Sequence, residues 1–326
     1  MGEFDLIKRY FTASAYSADV LLGVGDDAAV VDVPAGYKLV TAVDTIVAGI
    51  HFPADTAAAD IAYRVLAVNL SDMAAMGAIP KWFTLSLCLP AAEESWLAEF
   101  AGSLHELAQR FGMQLVGGDT VKGPLNISVQ ILGIVEDDGW LTRSGAHPGD
   151  LVVVSGLPGE AAGGLQLLLQ PSITTDELYR RQLLERFYRP TPRVQLGRAI
   201  RRLASAAMDV SDGLLTDLNK LCAASACSAT LNLDALPIST ALNATFGASA
   251  AQQHTLFGGD DYELLFTVSR DKLAQLQEIS SALLVACTPV GEVAVKGSAD
   301  HQVQCFHNGK PVVVQGAGFD HFATGR

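Results

Sequence analysis

The sequence predicts two mixed α/β (α+β) domains in one chain, on three observations. The chain has 326 residues, more than the commonest single domain. Short apolar runs of strand length alternate with longer segments whose apolar residues recur at helical spacing. A turn cluster from Ser144 to Gly149 interrupts that alternation near the middle. It divides the chain into an N-terminal domain, 1–148, and a C-terminal domain, 149–326. At 49% hydrophobic and 17% charged, each part can bury a core of its own.

The elements follow in order. Lys38 to Val43 reads as a strand running into Asp44. Ala58 to Met76 reads as a helix, with Ile61, Val65, Leu66, Leu70 and Met73 on one face. Lys81 to Leu89 is a strand ending at Pro90. Glu93 to Arg110 is a helix with acids in its first turn, where the helix dipole favours them. Met113 to Val116 and Leu125 to Val135 are strands. Beyond the boundary, Leu151 to Ser155 is a strand and Gly156 to Gly159 leads into a helix. Helices are expected over Asp176 to Arg186 and Arg193 to Leu203. Ala206 to Val210 is a short strand entering Ser211-Asp212-Gly213 and a further helix. Tyr262 to Val268, Asp271 to Ile279 and Leu283 to Val290 give strand, helix, strand.

Composition excludes several classes. A net charge of −13 argues against bulk nucleic-acid binding, which needs a basic face. No apolar run approaches the ~20 residues of a membrane helix. Met1 to Tyr10 carries Glu3, Asp5, Lys8 and Arg9 and has no apolar signal-peptide core. Five cysteines without a CxxC pair read as free core thiols in a reducing compartment, and the expected location is cytoplasmic. The arginines at 180, 181, 186, 189, 193, 198, 201 and 202 read as a solvated helical face.

The chemistry lies in the aspartates. There is no GxxxxGK[ST]. Gly23-Val-Gly25-Asp-Asp-Ala28 fits GxGxxA on paper, but Asp26 and Asp27 would set negative charge against a pyrophosphate. The segment makes better sense with a cation between carboxylate and phosphate. Further acids recur in similar settings. Asp44 ends a strand, and Asp72 lies one helical turn after Asn69. Asp119 follows Gly117-Gly118, Asp209 and Asp212 bracket a strand-to-helix turn around Ser211, and Asp260 and Asp261 follow Gly258-Gly259. Any one of these is ordinary turn or capping chemistry. Their recurrence at strand ends, where α/β folds place ligands, points to a shared cation. Two carboxylates ~4 Å apart repel by about 4 kcal/mol at an intermediate dielectric. All-oxygen ligation suits Mg²⁺ on phosphate. Arg143 is either a phosphate clamp or a plain surface arginine, and His51 either a ligand contact or a loop histidine.

Nine motifs then occur in order: Gly2 to Ile7, Gly23 to Asp27, Asp44 to Phe52, Ala67 to Gly77, Gly117 to Thr120, Leu141 to Gly145, Asp209 to Gly213, Gly258 to Leu264 and Gly318 to Phe322. The series resembles the bacterial thiamine-monophosphate kinase family, within the aminoimidazole-ribonucleotide synthetase-like superfamily. The resemblance implies a homodimer whose N-terminal α/β domains pair their sheets and bind nucleotide, with a C-terminal α+β domain adding metal and substrate contacts. It implies ATP-dependent phosphorylation of thiamine monophosphate, the final step to thiamine diphosphate, with several Mg²⁺ ions. Carried over by position, metal falls to Asp27, Asp44, Asp72, Asp119, Asp209 and Asp212, with Ala42 and Val43 through backbone carbonyls. ATP contacts fall to Gly118, Asp119, Arg143 and Ser211, and thiamine monophosphate to His51, Asp260 and Phe319. No residue is implied as a general base, because a phosphate monoester with a second pKa near ~6 is already largely dianionic.

Three positions depart from the family pattern. Ala42-Val43 stands where Ser-Thr is frequent, Asp260 where Glu is usual, and Phe319 where Tyr is common. Two other readings stay open at this level. One is an ATP-using relative of the aminoimidazole-ribonucleotide or selenophosphate synthetase type, although residues 1–30 hold Lys8 and no cysteine. The other is a non-catalytic nucleotide or thiamine-phosphate binder.

Overall fold

A computed structural model describes residues 2–12, 15–296, 302–316 and 318. The chain divides into two compact units. The first runs to Met73 and resumes over Ala78–Gly139; the second takes Ala74–Gly77 and the chain from Trp140 onward.

The first unit opens with a short helix α1 (Glu3–Leu6) that continues as a π-helical turn, then a hairpin of β1 (Val20–Leu22) and β2 (Val30–Val31). Its main sheet holds β3 (Tyr37–Val47), β4 (Ile79–Leu89), β5 (Gln114–Lys122) and β6 (Asn126–Glu136) in the order β3-β6-β4-β5. The β4–β5 pair is parallel and the others are antiparallel. That parallel pair is joined by helix α3 (Glu94–Arg110), as a parallel connection requires. Helix α2 (Ala58–Ala75) links β3 to β4.

Strand alternation gives this sheet two unlike faces. One buries Phe83, Leu85, Leu87, Ile127, Val129 and Ile131, and α2 lies against it. Met73 of α2 packs so close to Gly133 that a Cβ there would strike its sulfur. At one end of the opposite face, Trp82, Val116 and Ile134 pack with Tyr16 and Val31 from the N-terminal segment and with Tyr37 at the start of β3. Farther along, that face leaves Val43 62% and Val121 48% exposed.

The second unit is a seven-stranded sheet with helices. It comprises β7 (Leu151–Ser155), α4 (Glu160–Leu169), α5 (Glu177–Tyr188), α6 (Val194–Ile200), β8 (Ala204–Val210) and α7 (Leu214–Ala224). Then come β9 (Ser228–Asn232), α8 (Thr240–Phe246), α9 (Ala248–Phe257), β10 (Glu263–Val268), α10 (Leu273–Leu283), β11 (Cys287–Ala294), β12 (Val303–His307) and β13 (Lys310–Val312). The order is β13-β12-β9-β11-β7-β10-β8. Val152, Val154, Met208, Val210, Leu218, Leu221, Leu231 and Leu265 form its core. Every residue of β10 is buried, Glu263 and Thr267 included, which is why the strand shows no apolar–polar alternation.

Three strand-end assignments need correction. The strand expected over Leu283 to Val290 begins at Cys287 and runs to Ala294, because helix α10 continues to Leu283. The strand expected to stop before Asp44 continues to Val47, and the one expected over Met113 to Val116 continues through the glycines to Lys122. Asp44 and Asp119 therefore lie inside strands. A register shift skips Val116 between the Phe83 and Thr84 pairings, a β-bulge just before Gly117-Gly118.

Candidate active site

In the first unit, β3 brings Asp44 opposite Val129, on the face that carries α2. The Asp44 backbone N–H donates to the Asn69 side-chain oxygen at 3.1 Å. Asn69 is fully buried, and its amide nitrogen donates to the Val65 carbonyl at 2.8 Å. Because β3 is an edge strand whose Asp44 N–H leaves the ladder, the antiparallel alternation turns the backbone groups of Ala42 outward too. Those of Val43 face Gln130, leaving its carbonyl one lone pair. Asp72, one turn after Asn69, is half-buried. Burial pushes the Asp44 carboxyl above the ordinary aspartate range. A desolvated carboxylate beside a second aspartate-bearing helix turn is an environment that a cation would relieve.

Asp27 is exposed in the loop after β1. Its N–H donates to Asp26 Oδ1 at 2.8 Å, so Asp26 shapes the turn. The Tyr16 ring lies against Gly23 where a Cβ would sit, and its hydroxyl accepts the Val24 N–H at 2.8 Å. Asp119 is exposed on the other sheet face, in register with Ser86 of β4 and, through it, Ser128 of β6. Gly118 beside it has φ +155°, and a Cβ there would overlap the Leu85 carbonyl. Three strand spacings separate β5 from β3, about 14 Å. The fold thus joins Asp44 to the Asn69–Asp72 turn and holds Asp119 apart, on the opposite face. Among the described residues, no group of three or more His, Cys, Asp or Glu stands ready to hold a metal.

His51 sits in the Ala48–Phe52 turn, where Gly49 takes φ +77°. Its Nδ1 accepts the Val47 N–H at 3.0 Å. In the neutral ring that places the proton on Nε2, making the outer nitrogen a donor.

In the second unit, edge strand β8 carries buried Asp209 into the turn Ser211-Asp212-Gly213. The Gly258–Asp261 loop comes alongside. Asp260 N–H donates to the Ser211 carbonyl and Tyr262 N–H to Val210, both at 2.9 Å. Asp260 adopts φ +71° and Tyr262 φ +53°, left-handed conformations that non-glycine residues take at a cost. Asp209, Ser211, Asp212 and Asp260 are thereby gathered at one end of the β8–β10 pair. Arg143 is exposed, and its backbone carbonyl accepts the Ser225 hydroxyl at 3.0 Å. Phe319 lies outside the described residues.

Several contributors escaped the sequence reading. Fully buried Asp217 of α7 accepts the N–H groups of Ser211 and Asp212 on one oxygen, each at 3.0 Å. Lys220 donates to its other oxygen at 2.8 Å and also to Asp212. Asp261 turns away from Asp260 and accepts the N–H groups of Gly159 and Ala161 at the start of α4. Burial drives the Asp261 carboxyl well above its usual range, against those two hydrogen bonds. The arginine run is not simply a solvated face: Arg186 pairs with buried Glu160 and Arg193 with buried Glu263. The signal for Asp217, a carboxylate in the first turn after a Ser-Asp-Gly, is visible in the sequence. The arginine partners lie 26 and 70 residues away, beyond local pattern.

Two family models match, described as AIR synthase related protein, N-terminal domain, over residues 25–135, and C-terminal domain, over 147–304. Over 99% of both chains, the sequence is 45% identical to the thiamine-monophosphate kinase of Escherichia coli (strain K12). The chain belongs to the thiamine-monophosphate kinase family. The Bacillus subtilis (strain 168) thiamine-monophosphate kinase is 36% identical over 99% of this chain and 100% of its own. The crystal structure of thiamine-monophosphate kinase from Stenotrophomonas maltophilia K279a superposes with a TM-score of 0.84 at 43% identity, covering 90% of this chain and 93% of that one. A further family structure, AaThiL complexed with AMPPCP and TMP, superposes at 0.78 with 31% identity, covering 98% and 97%.

Proposed function

We propose that this chain transfers the γ-phosphoryl group of ATP to thiamine monophosphate, releasing ADP and thiamine diphosphate. The observation that carries the reading is the end-to-end match to thiamine-monophosphate kinases, with the aspartate motifs in the same chain. The acceptor phosphate is largely dianionic at neutral pH, so the protein need not remove a proton. Its task is to hold two polyanions in line and offset their charge.

The donor chemistry fits magnesium. Asp44 is a carboxylate desolvated by burial, and Asp27, Asp72, Asp119, Asp209 and Asp212 add hard oxygen donors. A ready-made triad is not required, since magnesium commonly takes one or two carboxylates together with phosphate oxygens and water. The Ala42 and Val43 carbonyls would serve where the family pattern has hydroxyls. When bound, magnesium supplies the positive charge that lets the two phosphates approach.

The chain's own residues would divide the remaining work. Gly118 permits close backbone approach beside Asp119, and Arg143 and Ser211 would hold nucleotide phosphates. His51 offers an Nε2–H donor to thiamine monophosphate. Asp260 would meet its cationic thiazolium, and Phe319 would stack on it. The partly open outer face of the β3-β6-β4-β5 sheet supports a homodimer in which a second copy covers Val43, Val121 and Asp119. No described helix is long and apolar enough to cross a membrane, and the cytoplasm is the proposed site of action.

Ligand-linked stability tests the reading. Magnesium with a non-hydrolysable ATP analogue should raise the melting temperature, and thiamine monophosphate should add to the rise where free thiamine does not. No shift at saturating analogue contradicts the nucleotide site.

A further inference from the structure

We infer that Lys220 is an internal counter-ion that competes with the metal for Asp212, with Asp217 as its fixed anchor. The inference rests on the proposed metal role of Asp212. Lys220 reaches both carboxylates, but the two ends of this bridge differ. Asp217 is fully enclosed, with three donors on its oxygens: the Ser211 and Asp212 N–H groups and the Lys220 ammonium. Asp212 is 32% exposed and Lys220 40% exposed. Removing a partner from an enclosed carboxylate leaves an uncompensated buried charge, whereas a water-accessible ion pair exchanges readily. An incoming divalent cation can therefore take Asp212 while Lys220 stays on Asp217.

Without metal, the lysine neutralises the turn by occupying the Asp212 carboxylate. The backbone of Ser211 and Asp212 is fixed independently, by Asp217. Lys220 thus sets how much cation the turn demands.

The test is titration of the full-length protein with magnesium chloride alone, read as the rise in melting temperature. In K220M, and in K220Q as a second uncharged variant, half-saturation should move to roughly two- to fivefold lower magnesium, the range one exposed ion pair carries. K220R should titrate like the unaltered chain, and D212N should lose much of the response. Unchanged or weaker magnesium response in both uncharged variants, with D212N still impaired, overturns the counter-ion role and leaves the metal reading standing. A D212N titration identical to the unaltered chain overturns both.

Discussion

Asp44 carries the clearest conflict between stability and use. Its carboxyl is held above the ordinary aspartate range by burial. A raised folded-state value means the folded protein binds that proton more tightly than the unfolded chain does. The cost is therefore absent below the unfolded aspartate pKa near ~3.9 and grows as pH rises through the folded value. In D44N, the ligand-free protein at neutral pH should melt at a higher temperature than the unaltered chain, because the neutral amide carries no desolvated charge. The same variant should lose the stabilisation by magnesium and ATP analogue. A lower ligand-free melting temperature with the ligand response intact contradicts this account of Asp44. Asp72→Asn and Asp119→Asn should each depress turnover at saturating ATP by roughly 100-fold or more, the scale of a lost electrostatic contact in phosphoryl transfer. Near-normal turnover in either refutes its metal role.

At the level of elements, the enclosed Arg193–Glu263 pair ties the approach to α6 to β10. The Arg193 Nε–Oε2 contact is 2.6 Å, and the Ser155 hydroxyl adds a third hydrogen bond. R193M should destabilise the second unit by about 3–5 kcal/mol, because it strands the Glu263 carboxylate. Calorimetry should show a drop of roughly 10 °C. A loss within 2 °C, on the same scale, would show the carboxylate is not stranded. The same pair shows where sequence reading stops. Helices α2 and α3 were legible because their apolar residues follow one period over many positions, and strand β10 because its short apolar stretch follows a Gly/Asp turn cluster. Strands β9, β12 and β13 are three to five residues long, too short for a period to stand out. Gly117-Gly118 looked like a turn, yet β4 pairs with β5 straight through it, because strand preference yields to the neighbouring strand. The recurrence of the aspartates in glycine-rich and strand-end motifs was legible in the sequence. Their division between two faces of one sheet was not, since facing depends on register and on the bulge at Val116.

For the molecule as a whole, the proposed homodimer would place a second copy over the open sheet face, where Val43 and Val121 are exposed. Placing a charge there, as in V43K, should shift the solution mass toward one chain and lower activity together. Light scattering after gel filtration reads the mass, and a V43K protein that keeps both the mass of two chains and full activity contradicts the proposed interface. Incubation with ATP, Mg²⁺ and thiamine monophosphate, followed by chromatography of both nucleotide and thiamine products, reads the reaction itself. The account predicts ADP and thiamine diphosphate in equal amounts and no thiamine diphosphate when free thiamine replaces the monophosphate. ADP formed without thiamine diphosphate, or no turnover by a folded protein that binds both substrates, would contradict it.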